Sequence, residues 1–266
     1  AVSNANAPFA DDDVVIRTLE YAAGLGMTVV FYAEEHQIAK DGCAHEGFIA
    51  SRQGLPMIPA LAETVAIAKY LLIIEATKVR AHFGLLSCGA SVELIKIAKD
   101  KGLPVTADVA MHQLHLTESL TDGFNSLAHV RPPLRAEKDK QLLRQGVKDG
   151  VIDAICTHHE PLSSSAKLAP FAETQPGMTA FDTYVAFGIQ LVNEGLFEPL
   201  EWVEKVTLAP AKVANMVDRW TEESGWALID PQLEWTVSKD SILSQGKNTP
   251  LIHQKVVGKV VQTFVA

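Results

Sequence analysis

Cysteine is scarce in this chain. Cys43, Cys88 and Cys156 stand singly, with no C-x-x-C pair and no even set of the kind that staples small secreted domains. A disulfide framework is excluded and a reducing cytoplasm is the expected setting. Long apolar runs are missing as well: none approaches the roughly 20 residues that span a bilayer. The first residues also lack the basic start and apolar core of a secretory leader. Membrane insertion and secretion are therefore disfavoured. Positive charge is short, with 23 Lys and Arg against 32 Asp and Glu for a net charge of −9, and the basic residues do not cluster. A phosphate backbone needs clustered cations to displace its counterions, so nucleic acid is not expected as a partner.

What is present is the composition of a folded domain: 47% apolar and 21% charged residues, too hydrophobic for a disordered chain. A length of 266 residues suits one large domain with a small appendage, a size that α/β barrels reach undivided. From residue 1 to about 180, short β-branched runs alternate with helical patterns, the signature of repeated βα units around a parallel sheet. Asp11, Asp12 and Asp13 supply an N-cap and first-turn charge for a helix carrying Val15, Leu19 and Ala22 on one face, stopped by Gly24 and Gly26. A strand at 28–31 follows. Leu61, Val65, Ala68 and Leu72 repeat at helical spacing before an apolar run at 79–86. A third helix at 91–101, a strand at 104–109, a long loop to Arg135, a polar helix at 136–148 and a buried strand at 151–156 complete this part. Two helices, roughly 180–194 and 199–216, come next, and from Trp226 short strands rich in Val and Thr predict a small β-subdomain. The expected division is a partial barrel with helices at 1–217 and the subdomain at 218–266.

Three stretches then acquire meaning together: Ser91-Val92-Glu93-Leu94-Ile95 through Gly102-Leu103-Pro104-Val105-Thr106-Ala107, Pro132-Pro133-Leu134-Arg135, and Asp149-Gly150-x-Ile152-Asp153-Ala154-Ile155. In order and spacing they resemble the dihydroorotase family, and Pro210-Ala211-Lys212 and Gly246-Lys247-Asn248-Thr249-Pro250 continue the match. The resemblance implies an α/β fold, an amidohydrolase-type (β/α) TIM barrel represented here by strands 4 to 8, with a small C-terminal β-subdomain. It implies one or two zinc ions at the C-terminal strand ends, activating water against a cyclic amide. The family's H-x-H motif would lie before residue 1, and strands one to three are expected to be absent. Because an open half-barrel leaves sheet edges and apolar faces bare, a further segment or a partner is expected to cover the open side.

The ligand positions depart from the family pattern. Its acidic S-D-D-G segment reads Ser3-Asn4-Ala5-Asn6, H-C-E-D becomes Tyr32-Ala33-Glu34-Glu35, and H-V-S-T becomes Leu85-Leu86-Ser87-Cys88. N-P-P-L-R reads Arg131-Pro132-Pro133-Leu134-Arg135, and T-D-H-A-P becomes Thr157-His158-His159-Glu160-Pro161, so His158 stands where the general base belongs. At Asn4, Tyr32, Leu85 and His158 the usual ligand type is lost, and no catalytic zinc is expected. The resemblance then implies a degenerate, non-catalytic protein of de novo pyrimidine synthesis that associates with aspartate carbamoyltransferase in an oligomer. The alternative is an active zinc enzyme with a rearranged site drawn from His82, His112, His115, His158 and His159. Arg131 and Arg135 could clamp an anion through their guanidinium forks or form loop-stabilising ion pairs. Glu34 and Glu35 read as a solvated edge, Cys156 as an inert buried thiol, and Trp226 and Trp235 as core or interface anchors.

Overall fold

The computed structural model describes residues 1–4, 9, 11–219 and 225–265. Strand β1 (Val2–Ser3) leads to helix α1 (Asp12–Gly24), whose N-cap Asp11 accepts a 2.8 Å hydrogen bond from the Val14 amide. Asp12 and Asp13 fill its first turn, where the helix dipole favours negative charge. After β2 (Thr28–Tyr32) the chain makes an excursion that the sequence did not reveal: α2 (His36–Ala39), β3 (Ala44–His45), α3 (Phe48–Gln53) and β4 (Met57–Ile58). The βα rhythm resumes with α4 (Ala60–Thr77), β5 (Arg80–Gly84), α5 (Gly89–Asp100), β6 (Val105–Ala110), α6 (Glu137–Lys148) and β7 (Ala154–Cys156). Helices α7 (Phe181–Asn193), α8 (Pro199–Val206) and α9 (Leu208–Val213) precede an antiparallel pair, β8 (Trp226–Thr236) and β9 (Lys255–Phe264).

Five strands form one parallel sheet in the order β1-β2-β5-β6-β7, as expected for strands 4 to 8 of a barrel. Alternation along each strand divides the side chains. Val29, Phe31, Ala81, Phe83, Ala107 and Val109 join Ile67, Ile95 and Leu143 of the helices in the main core. Each fully buried aromatic or aliphatic side chain there contributes roughly 1.5–3 kcal/mol. Between them on the same strands stand Val30, Tyr32, His82, Thr106 and Asp108, none of which belongs to that core. Among the described residues β1 and β7 are the two edges of the sheet.

Leu61, Val65, Ala68 and Leu72 do repeat at helical spacing, on the outer side of α4, which packs through Ala62, Ala66, Ile67, Tyr70 and Ile74. Helical spacing of apolar residues alone does not say which face packs. Two expectations are corrected. The helix expected at 199–216 breaks at Thr207 into α8 and α9, because an unbroken helix would hold Pro210 in its interior, where it lacks an N–H to donate. The tail is two long strands, not several short ones. Their register shifts between Asp230 and Glu234, where Pro231 cannot donate and the Gln232 amide turns to the Asp230 carboxylate at 2.9 Å.

The hairpin rests on α7 through Gly258, whose φ of 97° and missing Cβ admit Ile189. Trp235 anchors it, donating from Nε1 to the Gly258 carbonyl at 3.0 Å. Trp226 is no core anchor: it is exposed and stacks on Phe264 with ring centroids 3.7 Å apart. The expected boundary at 217/218 adjoins 220–224, outside the described residues. Among the described residues no helix is long and apolar enough to cross a membrane.

Candidate functional site

The C-terminal ends of the parallel strands carry the chemistry of such a barrel. Just beyond β1, Asn4 spends both ends of its amide on β2, donating to the Tyr32 carbonyl at 3.1 Å and accepting from the Tyr32 amide at 2.9 Å. Ala5 and Asn6 lie outside the described residues. At the end of β2 burial pushes the Tyr32 phenol well above its ordinary range, with Glu34 adding to the shift and Arg131 opposing it. Leu85 follows β5 with a positive φ of 61° and directs its amide to Asp108 Oδ1 at 2.8 Å. Past β7, His158 also has a positive φ, 44°, and its Nε2 lies 3.5 Å from Glu160 Oε2.

The two arginines are held by ion pairs within the chain. Arg131 grips Glu34 with Nε at 3.1 and 3.2 Å and with Nη2, beside a cleft of about 550 Å³ that Lys40 and His129 also line. Arg135 is 3% exposed and donates to Ser87 Oγ at 3.0 Å, the Ile58 carbonyl at 2.7 Å and His45 Nδ1 at 3.2 Å. Beside it the buried Glu63 accepts from the Ser87 amide and hydroxyl and from the Cys88 amide. Arg135 is thus part of the scaffold, joining α4, β4 and the loop after β5. Glu34 and Glu35 are not a solvated edge, since Glu35 is bound by Lys69 at 3.0 Å as Glu34 is by Arg131.

The candidate histidines are divided among separate tasks. His82 bonds Thr106 Oγ1 at 2.8 Å and Asp108 Oδ2 at 2.9 Å. His159 Nδ1 accepts from the Ala180 and Phe181 amides at the start of α7, and its Nε2 meets Ser244 Oγ at 3.0 Å. His115 stacks on Phe187 at 4.2 Å. Of the candidates only His112 and His158 stack on each other, with rings 5.5 Å apart and, among the described residues, no hydrogen-bond partner for the ring nitrogens of either. Asp108 is the residue that sequence reasoning passed over. It takes His82, the Leu85 amide and, at 3.4 Å, the Cys156 thiol, which burial raises well above its ordinary pKa. Its signal was a carboxylate alternating with Thr106 in an otherwise apolar strand.

A catalytic zinc needs three protein ligands and an open water position. Here the Asn4 amide is committed to backbone, Leu85 has no donor atom, the Tyr32 phenol is held protonated, and the rings of His112 and His158 stack rather than converge. Among the described residues no group of three His, Cys, Asp or Glu is arranged to hold a metal ion. These residues do not fit the family's zinc.

Burial holds four histidines neutral: His112 is lowered to about 3, with His158 adding to the effect, and His115, His129 and His45 to about 4. Their ordinary value of 6.5 lies above these. As pH falls from 6.5 towards 4, the unfolded chain binds protons that the folded chain refuses. Stability from these groups is therefore complete above 6.5 and falls through that window, by up to about 1.4 kcal/mol per pH unit for each histidine. Urea unfolding across the window is expected to show this slope, and His112→Leu to reduce it by about one proton's share. An unchanged slope in that variant would refute the assignment.

No family model matches the sequence. The chain is 40% identical over 268 residues to a dihydroorotase-like protein of Pseudomonas aeruginosa, covering 100% of this chain and 63% of that protein. It is 43% identical over 252 residues to a dihydroorotase-like protein of Pseudomonas putida, covering 94% of this chain and 59% of that one. A dihydroorotase of Syntrophus aciditrophicus shares 34% over 268 residues, covering 100% of this chain and 63% of the relative. The chain thus spans less than two thirds of the length of these relatives. Among solved structures, an L-hydantoinase from Arthrobacter aurescens superposes with a TM-score of 0.84 at 21% identity, covering 97% of this chain and 60% of that one. A D-hydantoinase from Thermus sp. gives 0.84 at 19% identity, with 99% and 61% covered. These neighbours show that the chain shares the fold of the hydantoinases.

Proposed function

The chain belongs to the dihydroorotase family, and from that premise we propose that it serves pyrimidine synthesis as a non-catalytic partner of aspartate carbamoyltransferase. The observation that carries this reading is the donor set at the strand ends: a committed amide, a protonated phenol, a leucine and a lone histidine. Zinc lowers the pKa of bound water from 15.7 to about 7, and a solitary imidazole does not replace that activation for amide hydrolysis. A barrel kept without its ligands retains value as a surface, and that supports a role in assembly within the cytoplasm. The chain is expected to turn over dihydroorotate in added zinc no faster than zinc buffer alone. Mixed with aspartate carbamoyltransferase at micromolar concentration, it is expected to co-elute and to raise the transcarbamoylase activity. Zinc-dependent turnover abolished by His158→Ala would instead establish a rearranged enzyme, and separate elution would remove the proposed partner.

A further inference from the structure

The cleft of about 550 Å³ beside Arg131 lies past the strand ends, between α2 with the turn that follows it and the segments around His129 and Thr174. The fold holds His129 there in one tautomer. Its Nδ1 is 2.7 Å from Thr174 Oγ1, and the single hydroxyl proton of Thr174 goes to the Phe171 carbonyl at 2.7 Å. Thr174 therefore accepts from His129, so Nδ1 carries the ring proton and Nε2 keeps a bare lone pair. The ring stacks on Phe171 at 4.9 Å, and the His129 carbonyl accepts from Lys167 Nζ and the Gly177 amide, both at 2.9 Å. His129 is 5% exposed and lines the cleft, and among the described residues Nε2 has no hydrogen-bond partner. Burial, with Lys167 and Arg131 near, lowers its pKa to about 4, so at neutral pH Nε2 accepts and does not donate.

Charges of both signs surround that lone pair. Arg131 spends Nε and Nη2 on Glu34, whereas its Nη1 has only a long contact, 3.5 Å, to the Gly42 carbonyl. Lys40 and Asp41 are exposed on the wall that follows α2, and among the described residues neither forms an ion pair. We propose that the cleft binds a free amino acid, a zwitterion whose ammonium donates to His129 Nε2 beside Asp41 and whose carboxylate accepts from Arg131 Nη1 and Lys40. An anion alone would meet Glu34, Asp41 and an imidazole that offers it no proton. A cation alone would face Arg131 and Lys40. The zwitterion matches both signs, and complementary charge is what sets specificity at such a surface. An acceptor already locked by its other nitrogen and by stacking loses little freedom on binding. His129, Lys40 and Asp41 lie outside the ligand positions compared with the family pattern, and the site does not rest on the proposed function.

Calorimetric titration of the purified chain with L-alanine at neutral pH is expected to show one site of about millimolar affinity or tighter. Propionate and ethylamine, each lacking one of the two charges, are expected to bind at least roughly tenfold more weakly. His129→Phe keeps a ring against Phe171 and removes the lone pair, and it is expected to lose roughly tenfold, the value of one charge-assisted bond. That variant also takes a donor from Thr174, so Lys40→Gln and Asp41→Asn, at exposed positions that leave the fold intact, give a second reading. Each is expected to weaken L-alanine binding roughly threefold. His36→Gln removes the other imidazole that lines the cleft from the titration. In that variant the affinity is expected to stay level between about pH 7 and 5, below the value of about 8 to which burial lowers Lys167 and above that of His129. No binding at about 10 mM L-alanine, propionate or ethylamine binding as tightly as L-alanine, or full affinity in all three charge and ring variants would overturn the proposal. Tighter binding on acidification would overturn it too, since it would mark an anion held by a protonated ring.

Discussion

Glu63→Ala is expected to lower the free energy of unfolding by roughly 3–5 kcal/mol, the usual cost of breaking a buried charge pair from one side. Glu63 is 5% exposed and Arg135 3%. Without the carboxylate, the Ser87 amide, the Ser87 hydroxyl and the Cys88 amide lose their acceptor inside the protein. The guanidinium, which cannot shed its proton, keeps its charge there with the nearest anion gone from 3.9 Å. Glu63→Gln should cost less, since an amide oxygen still accepts from Ser87. The double change Glu63→Ala with Arg135→Met should recover part of the loss, because it removes the stranded charge. Urea unfolding of the four proteins decides the matter, and a loss below about 1 kcal/mol for Glu63→Ala would show that water reaches the cluster.

Asn248 is expected to be nearly as costly to remove. Its Nδ2 donates to the carbonyls of Glu160 and Gly177 at 3.0 Å each, and its Oδ1 accepts from the Leu162 amide at 2.7 Å and Thr179 Oγ1 at 2.8 Å. Both donors and both lone pairs are therefore used in a residue only 3% exposed. At about 0.5–1.5 kcal/mol for each bond, and more for every partner left buried and unpaired, Asn248→Ala should cost roughly 3 kcal/mol. Asn248→Asp separates this account from simple loss of volume. It keeps the shape but turns a negative oxygen towards two carbonyls, so at neutral pH it should be worse than alanine. Thermal melts in which aspartate was the milder variant would contradict the network.

Much of the fold was legible because βα units write themselves in period and punctuation. Asp11 before an apolar helix, and Gly102 and Gly150 after α5 and α6, marked ends that the structure reproduces within a residue or two. The excursion from α2 to β4 was hidden because its strands are two residues long, and hydrogen bonds rather than apolar alternation define them. The stripe on α4 gave the helix but not its packed face, because apolar residues occupy the outer side as well. In the site, losses were easy to read and new partnerships were not. The substitutions at Tyr32, Leu85 and His158 are visible in any ordered comparison of motifs. That Arg131 finds Glu34, 97 positions away, or that Asp108 gathers His82 and Leu85, depends on which strands become neighbours. The Gly246-Lys247-Asn248 motif was noticed, but its work of tying the loop after β7 to the tail is a long-range fact with no local trace.

The bonds of His82 bear on how neighbouring strands find their alignment. Parallel strands have no tight turn between them to set the offset, and the backbone ladder alone tolerates slippage. β5 and β6 pair with His82 opposite Thr106, and the imidazole bonds that neighbour and also Asp108, two residues further along. A slip of one residue would turn the ring towards the helices, among Phe83, Ala107 and Ile95, where no acceptor waits. A slip of two would part it from at least one of its two partners. Three polar side chains on the inward face thus act as a vernier for the sheet, giving the chain a means of rejecting misaligned pairings before the helices close over them.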